Sequence, residues 1–400
     1  MTESVLMFSR STPHHQAGGM ETLAWNLAAE WAALGTEVRV VTTEIPGAAQ
    51  PFREDGVEVV PLPGTRPGRY SASWWEASRR YWTSLDAAPP VVLSVSAGAY
   101  SVVRARAHQP RTAFVMQAHG TSMLDIGSKL RDHDPRSLAG ASKSSLSLLR
   151  DLARYRDFDR IVAVGDRVHE SLTAPPQRWS VPVDRVCLIR NGVRGADHAF
   201  DARARAEVRG RLGIADHVTV VGCVGRLHVQ KRFDRALRVA AALRDRGLAD
   251  GFRFLLVGGG PDERRLRDMV GDLRLDGMVV FAGRAEPDRV RDYFSASDVA
   301  LLTTSTLEVG LPLVVLEALA SGLPCVIPPG PIRSPAISRV LEQVDPSDAA
   351  LLADVLQKAT PLPGPRASLL PPELDLRHCA TEYLSLFREL ASAPGSAAGM

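Results

Sequence analysis

The sequence predicts two consecutive doubly wound α/β domains. Short Val/Ile-rich runs alternate with segments of helical period, the pattern of parallel sheets covered by helices. The series begins afresh near residue 218. A length of 400 residues also exceeds what one core organises.

In chain order, "SVLMFS" reads as a first strand and "GGMETLAWNLAAEWAALG" as a helix with Leu23, Leu27, Trp31 and Leu34 near the helical period, stopped at Gly35. "EVRVVTT", "VEVVPL", "VVLSVS", "TAFVMQAHG", "RIVAVG" and "VCLIRNG" follow as strands, their continuous apolar runs fitting a sheet buried on both faces. The polar stretch 193–209 reads as a linker. "VTVVGCVGR" then opens a second series, with strands in "FRFLLVGGG", "MVVFAGR", "VALLTTS" and "PCVIPPG", the last closing the sheet. Helices are expected in 231–247, 261–275, 287–297, 311–322 and 347–359. The domains so predicted are 1–200, 201–375, a helix at 376–392 that packs back on the first domain, and a disordered tail at 393–400. Paired domains of this kind would face each other across a cleft lined by strand C-termini.

Composition narrows the function. A net charge of +3 is too small to argue for nucleic acid, while a pI of 8.8 leaves an anionic ligand open. Nearly all basic residues are Arg; the lysines are Lys129, Lys143, Lys231 and Lys358. Cys187, Cys223, Cys325 and Cys379 have no paired spacing, so neither a zinc site nor a disulfide framework is suggested, and a reducing compartment is expected. No signal peptide or membrane span is read, so a cytoplasmic location is expected. The Arg-rich "VVRARAHQPR" could meet anionic lipid, but scattered Arg ordinarily marks a solvated face.

Three features of the second half suit one kind of ligand. "VGRLHVQKRFD" puts Arg226 at a strand end and Lys231 at a helix start, either a diphosphate site or an ordinary solvated loop. "LLVGGGPDE" sets Gly258, Gly259 and Gly260 in a tight turn, for which backbone reasons suffice, with Pro261 as a first helical position. "TTSTLEVG" leads into the apolar helix "LPLVVLEALASG", whose N-terminal amides suit an anion. Glu317 lies within that helix, where an unsatisfied carboxylate is costly. It would accept hydrogen bonds from vicinal hydroxyls, as on a ribose, or pair with an arginine of a neighbouring element.

From "GGMET" through "AHG", "RNGV", "VGRLHVQKRFD", "LLVGGGPDE", "VVFAGR" and "ASDVALLTTS" to "GLPLVVLEALASGLPCV", the chain resembles retaining glycosyltransferases of the GT-B fold, family 4. The resemblance implies transfer of a sugar from a nucleotide diphosphate, a UDP-sugar by preference, to a small or natural-product acceptor. It implies that Arg226 and Lys231 hold the diphosphate and that Glu317 binds the ribose. Gly310, Leu311, Leu313 and Val314 would offer backbone N–H groups, and Phe281–Arg284 would border the base. Gly18 and Gly19 would approach the phosphates or acceptor, and His119 would face the donor sugar. Glu21 fits the first turn of its helix better than catalysis. No cofactor is implied beyond the donor, and protein charge would replace a metal.

Three positions depart from the family pattern. Val309 stands where a Glu is usual, with Glu308 one place earlier. "PIRSPAISRV" replaces a Gly-Gly…Glu loop, and Arg194 follows "NGV" where Asp is common. The displaced Glu308 motivates a second reading, a non-catalytic nucleotide-sugar-binding or partner protein; a third is a GT-B enzyme of another reaction type, such as a nucleotide-sugar epimerase. Lys129, Arg131 and His133, in the stretch 121–145, would select the acceptor, unless that stretch is an ordinary surface loop.

Overall fold

The computed structural model describes residues 4–15, 18–87, 89–124, 148–305, 307 and 309–392. The chain divides into two compact units: Met1–Gly192 with Glu308–Gly310 and Leu376–Met400, and Val193–Leu307 with Leu311–Asp375. Each is built on one sheet.

The first unit contains strands β1 (Ser4–Phe8), β2 (Glu37–Thr43), β3 (Phe52–Glu54), β4 (Val57–Leu62), β5 (Val91–Val95), β6 (Ala113–Ala118), β7 (Arg160–Ala163) and β8 (Val186–Leu188). Their order is β3-β4-β2-β1-β5-β6-β7-β8, parallel throughout except for the antiparallel β3–β4 edge. All five residues of β5 are buried, as a strand covered on both faces requires. Helix α1 (Gly19–Ala33) packs Leu27 and Trp31 with Val5, Val38 and Val40. Helix α2 (Ala72–Thr83) covers the other face with Trp74 and Trp82. Their indoles donate to the carbonyls of Gly98 and Ala105, so both bury a full aromatic payload without stranding an N–H. The unit also holds helix α3 (Asp166–Thr173).

The second unit contains β9 (Thr219–Val224), β10 (Phe252–Val257), β11 (Val279–Gly283), β12 (Val299–Leu301), β13 (Cys325–Ile327) and β14 (Leu341–Gln343), all parallel, in the order β11-β10-β9-β12-β13-β14. Its helices are α4 (Ala202–Arg211), α5 (Phe233–Asp245), α6 (Glu263–Asp272), α7 (Val290–Ala296), α8 (Leu313–Ala320), α9 (Pro335–Ser338) and α10 (Ala349–Leu356). Helix α11 (Leu376–Ser392) belongs to the first unit. There Tyr383 and Phe387 pack edge-on against Trp31, whose indole donates to the Ala380 carbonyl at 3.1 Å.

Several sequence expectations are corrected. The stretch 193–209 is not a linker, and the division falls after Gly192 rather than at 200/201. The Val193 N–H donates to the Leu374 carbonyl at 3.0 Å. Helix α4 occupies much of the stretch, capped by Asp201, with Arg205 and Arg209 buried. Those guanidiniums both bind Asp298 and reach carbonyls at the end of α7, so charges that look solvated in sequence are satisfied inside. The strand in "PCVIPPG" does not close the sheet, because β14 pairs beyond it. Pro261 is not the first residue of α6: the Asp262 N–H is held by the Leu227 carbonyl at 3.1 Å and the helix starts at Glu263. The short edge strands β3 and β14 and helix α2 went unread. No helix among the described residues is long and apolar enough to cross a membrane.

Candidate active site

In a doubly wound sheet, ligands bind beyond the strand C-termini where the strand order reverses. In the second unit that place lies between β9 and β12. The β9 exit is shaped by glycine: a Cβ on Gly258 would come within 1.9 Å of the Gly225 carbonyl oxygen, and one on Gly260 within 2.2 Å of that of Leu227. These glycines let two strand-end loops pack backbone to backbone, which is the structural role expected of them.

Arg226 follows on the exposed crest. Lys231 closes the one-turn helix Val229–Lys231, and Arg232 then takes a left-handed conformation (φ 53°) before α5 begins. Both Arg226 and Lys231 are exposed, and no acidic side chain among the described residues pairs with either. The Lys231 carbonyl accepts from the buried Thr303 hydroxyl at 2.8 Å, and Arg235 donates to the Thr303 carbonyl at 3.2 Å. The loops leaving β9 and β12 are therefore joined.

Beyond β12 the chain reaches Gly310, in a backbone region glycine favours (φ 149°), then Leu311 and the cap residue Pro312. Leu313 and Val314 begin α8, whose N-terminus carries no side-chain cap and no acidic residue in its first turn. Such an end leaves amides available and favours an anion. Glu317 is half-buried one turn on. Among the described residues no arginine or other donor satisfies it, and desolvation raises its carboxyl to about pKa 7. Arg284 is exposed at the end of β11, while one face of the nearby Phe281 ring is covered by the Arg267 guanidinium at 4.2 Å. Glu308 lies outside the described residues, as do Lys129, Arg131 and His133.

In the first unit the order reverses between β1 and β5. Gly18 caps α1 in extended conformation, where a Cβ would stand 2.4 Å from Glu21 Oε2; Gly19 has open space around it. Glu21 is buried and accepts the Ser11 hydroxyl at 2.7 Å. His119 follows β6, its Nε2 2.8 Å from Gln117 Oε1. Desolvation lowers its pKa to about 4, partly opposed by the Glu21 charge, so the ring is neutral at pH 7.

One group here was missed by sequence reasoning. Tyr70 and Trp75 stack at 5.1 Å and 13°, and Trp75 lies over Tyr100 at 6.4 Å and 15°. The Arg10 guanidinium is 5.1 Å from the Tyr70 ring centre, and that of Arg150 is 5.9 Å from the Trp75 ring. Asp151 accepts from Tyr100 at 2.9 Å and from Ser122 at 2.5 Å, and its own pKa is raised by burial. The aromatic-rich run Tyr70–Trp82 was the available signal. Among the described residues no group of three His, Cys, Asp or Glu side chains is placed to hold a metal ion.

Residues 18–192 match the family model for the glycosyl transferase 4-like domain, and residues 218–358 match that for glycosyl transferases group 1. The chain belongs to the group 1 glycosyltransferases. This glycosyltransferase is 34% identical over 150 residues to EpsF of Bacillus subtilis; the match spans 36% of each chain, so about a third of that relative. It is 27% identical over 331 residues to the D-inositol 3-phosphate glycosyltransferase of Rhodococcus opacus, covering 78% of this chain and 70% of that one. Its fold is like that of the sucrose-phosphate synthase of Thermosynechococcus elongatus, with a TM-score of 0.74 and 18% identity over 98% of this chain and all of the other. Its fold class is accordingly GT-B.

Proposed function

We propose that this glycosyltransferase moves a sugar from a nucleotide diphosphate, with retention at the anomeric carbon, to an acceptor that carries an anionic group. The observation that carries the donor half is the unpaired set at the β9/β12 reversal: two cations, an uncapped helix N-terminus and a carboxylate without a donor. These are complementary to a diphosphate and a ribose diol. As the bond from the anomeric carbon to the diphosphate breaks, charge grows on the leaving oxygen. Arg226, Lys231 and the α8 amides offset it from fixed positions. The acceptor oxygen forms the new bond, and its proton passes to the departing phosphate, so no protein base is assigned.

Arg10 and Arg150, laid on aromatic rings and forming no ion pair with the described residues, support the acceptor half. A relative named for inositol 3-phosphate agrees with an acceptor bearing a phosphate. The test is a thermal-shift titration with UDP, GDP and their sugar conjugates on wild type, Glu317→Ala and Lys231→Ala. A ligand bound only by the folded state raises apparent stability. We expect a UDP-sugar to stabilise the wild type and both variants to lose the effect. A shift with GDP alone would reassign the nucleotide, and no shift with either would overturn the donor reading. The anomeric configuration of the product, read by proton NMR, tests retention.

A further inference from the structure

His119 is joined to the core by a short relay. Gln117 is fully buried on β6, and its amide lies between His119 Nε2, at 2.8 Å, and the hydroxyl of Tyr383 on α11, at 3.0 Å. Tyr383 is also buried, packed against Trp31 and Phe387. Among the described residues its hydroxyl has no other hydrogen-bond partner, and His119 Nδ1 has none.

The oxygen and nitrogen of an amide can exchange places, and the hydrogen-bond network decides between them. With the amide nitrogen toward Tyr383, Gln117 donates to the Tyr383 oxygen and the tyrosine's own O–H is stranded in the core. His119 must then donate from Nε2, leaving Nδ1 a bare lone pair. With the amide turned over, the same two distances serve a different pattern: Tyr383 donates to Gln117 Oε1, and Gln117 Nε2 donates to His119 Nε2. The ring proton then sits on Nδ1. One N–H of Gln117 is spare in either case; the other unpaired donor is the Tyr383 O–H, stranded in the core, in the first arrangement and the His119 Nδ1–H, which is not among the buried unpartnered atoms, in the second. A buried donor left unpaired costs more than a made hydrogen bond returns. The second arrangement is therefore favoured.

We propose that Tyr383, acting through Gln117, fixes His119 as the Nδ1–H tautomer, so that the ring offers its ligand a hydrogen-bond donor rather than an acceptor. Tyr383 and Gln117 are positioning residues. That the ligand is the donor sugar rests on the function proposed above; the tautomer does not.

The experiment is long-range proton–nitrogen NMR of the full chain labelled at histidine nitrogen, at pH 7, with His119→Ala identifying the signals. The expected result is a protonated, pyrrole-type Nδ1 and a pyridine-type Nε2. Tyr383→Phe removes the deciding donor and should give a mixture of tautomers. Gln117→Glu offers only acceptors and should drive the proton to Nε2, lowering sugar transfer at least tenfold while nucleoside diphosphate binding is kept. An Nε2–H ring in the wild type, or an unchanged Nδ1–H ring in Tyr383→Phe, would overturn the proposal. Should Gln117→Glu fail to fold, the tyrosine variant decides alone. An Nδ1–H ring in a chain that transfers no sugar would sink the function and leave the relay standing.

Discussion

The Thr303 hydroxyl donates to the Lys231 carbonyl at 2.8 Å, and this contact fixes the end of the loop that carries the lysine. The two residues come from loops after adjacent parallel strands, so the hydrogen bond spans the place where the strand order reverses. Thr303→Val keeps the shape and removes the hydroxyl. We expect a loss of about 1 kcal/mol in stability by denaturant titration, and a rise in donor KM larger than that of an equally destabilised variant elsewhere.

Arg226→Ala and Lys231→Ala should act on chemistry rather than fold, because both side chains are exposed. Each should lower kcat/KM by roughly 10- to 1,000-fold. Melting temperatures without ligand should stay near that of the wild type. A variant that melts early and transfers normally would contradict this assignment.

Glu317 makes stability depend on pH. Its folded pKa, about 7, lies above its ordinary value, so folding favours the protonated form. Stability is therefore lost as pH rises from the ordinary carboxyl range through about 7. Glu317→Gln removes the group that ionises. Without ligand, the variant should gain on the wild type by about 1–3 kcal/mol between pH 5 and pH 8, read by urea melts. A nucleotide whose ribose donates to the carboxylate should narrow that gap.

Much of this was legible in sequence, and the physical reason is locality. The strands β1, β2, β4 and β5 and the helix α1 declare themselves by runs of apolar residues within one window. Arg226, Lys231 and Glu317 stand out because each is a charge at a strand end, at a helix start or within an apolar helix. Helix α4 was hidden because its buried arginines are satisfied by Asp298, which lies about 90 residues away. The ring of Arg10, Tyr70, Trp75, Tyr100 and Arg150 was hidden for the same reason: separate segments contribute its members, and no single window shows them together. The tautomer of His119 depends on a tyrosine 264 positions further along the chain.

Asp298 accepts from Arg205, Arg209 and the backbone N–H groups of Val220 and Leu362. Asp298→Asn should cost about 3–5 kcal/mol, because it leaves buried guanidiniums without their counter-charge. Equilibrium unfolding would measure the loss. Nucleotide affinity of the molecules still folded should be unchanged, since Asp298 lies at the opposite end of β12 from the loop that leads to α8.

Arg10→Ala and Arg150→Ala should each raise the KM for a phosphate-bearing acceptor at least severalfold and leave donor KM unaltered. A neutral analogue of the same acceptor should not distinguish the variants from the wild type. Equal effects on both acceptors would point instead to a packing role for the two guanidiniums.

The polypeptide enters the first unit, leaves it after Gly192 and, apart from Glu308–Gly310, returns only at Leu376 to contribute α11. During synthesis, the second unit is therefore complete before the first. Until the last helix emerges, Trp31 lacks its cover of Tyr383 and Phe387, and Gln117 lacks its hydroxyl partner. A chain that stops short of residue 376 holds every residue of the second unit and lacks the helix that supplies those contacts to the first. The first unit is thus assembled from segments far apart in the chain, and its Trp31 and Gln117 contacts depend on residues beyond 375.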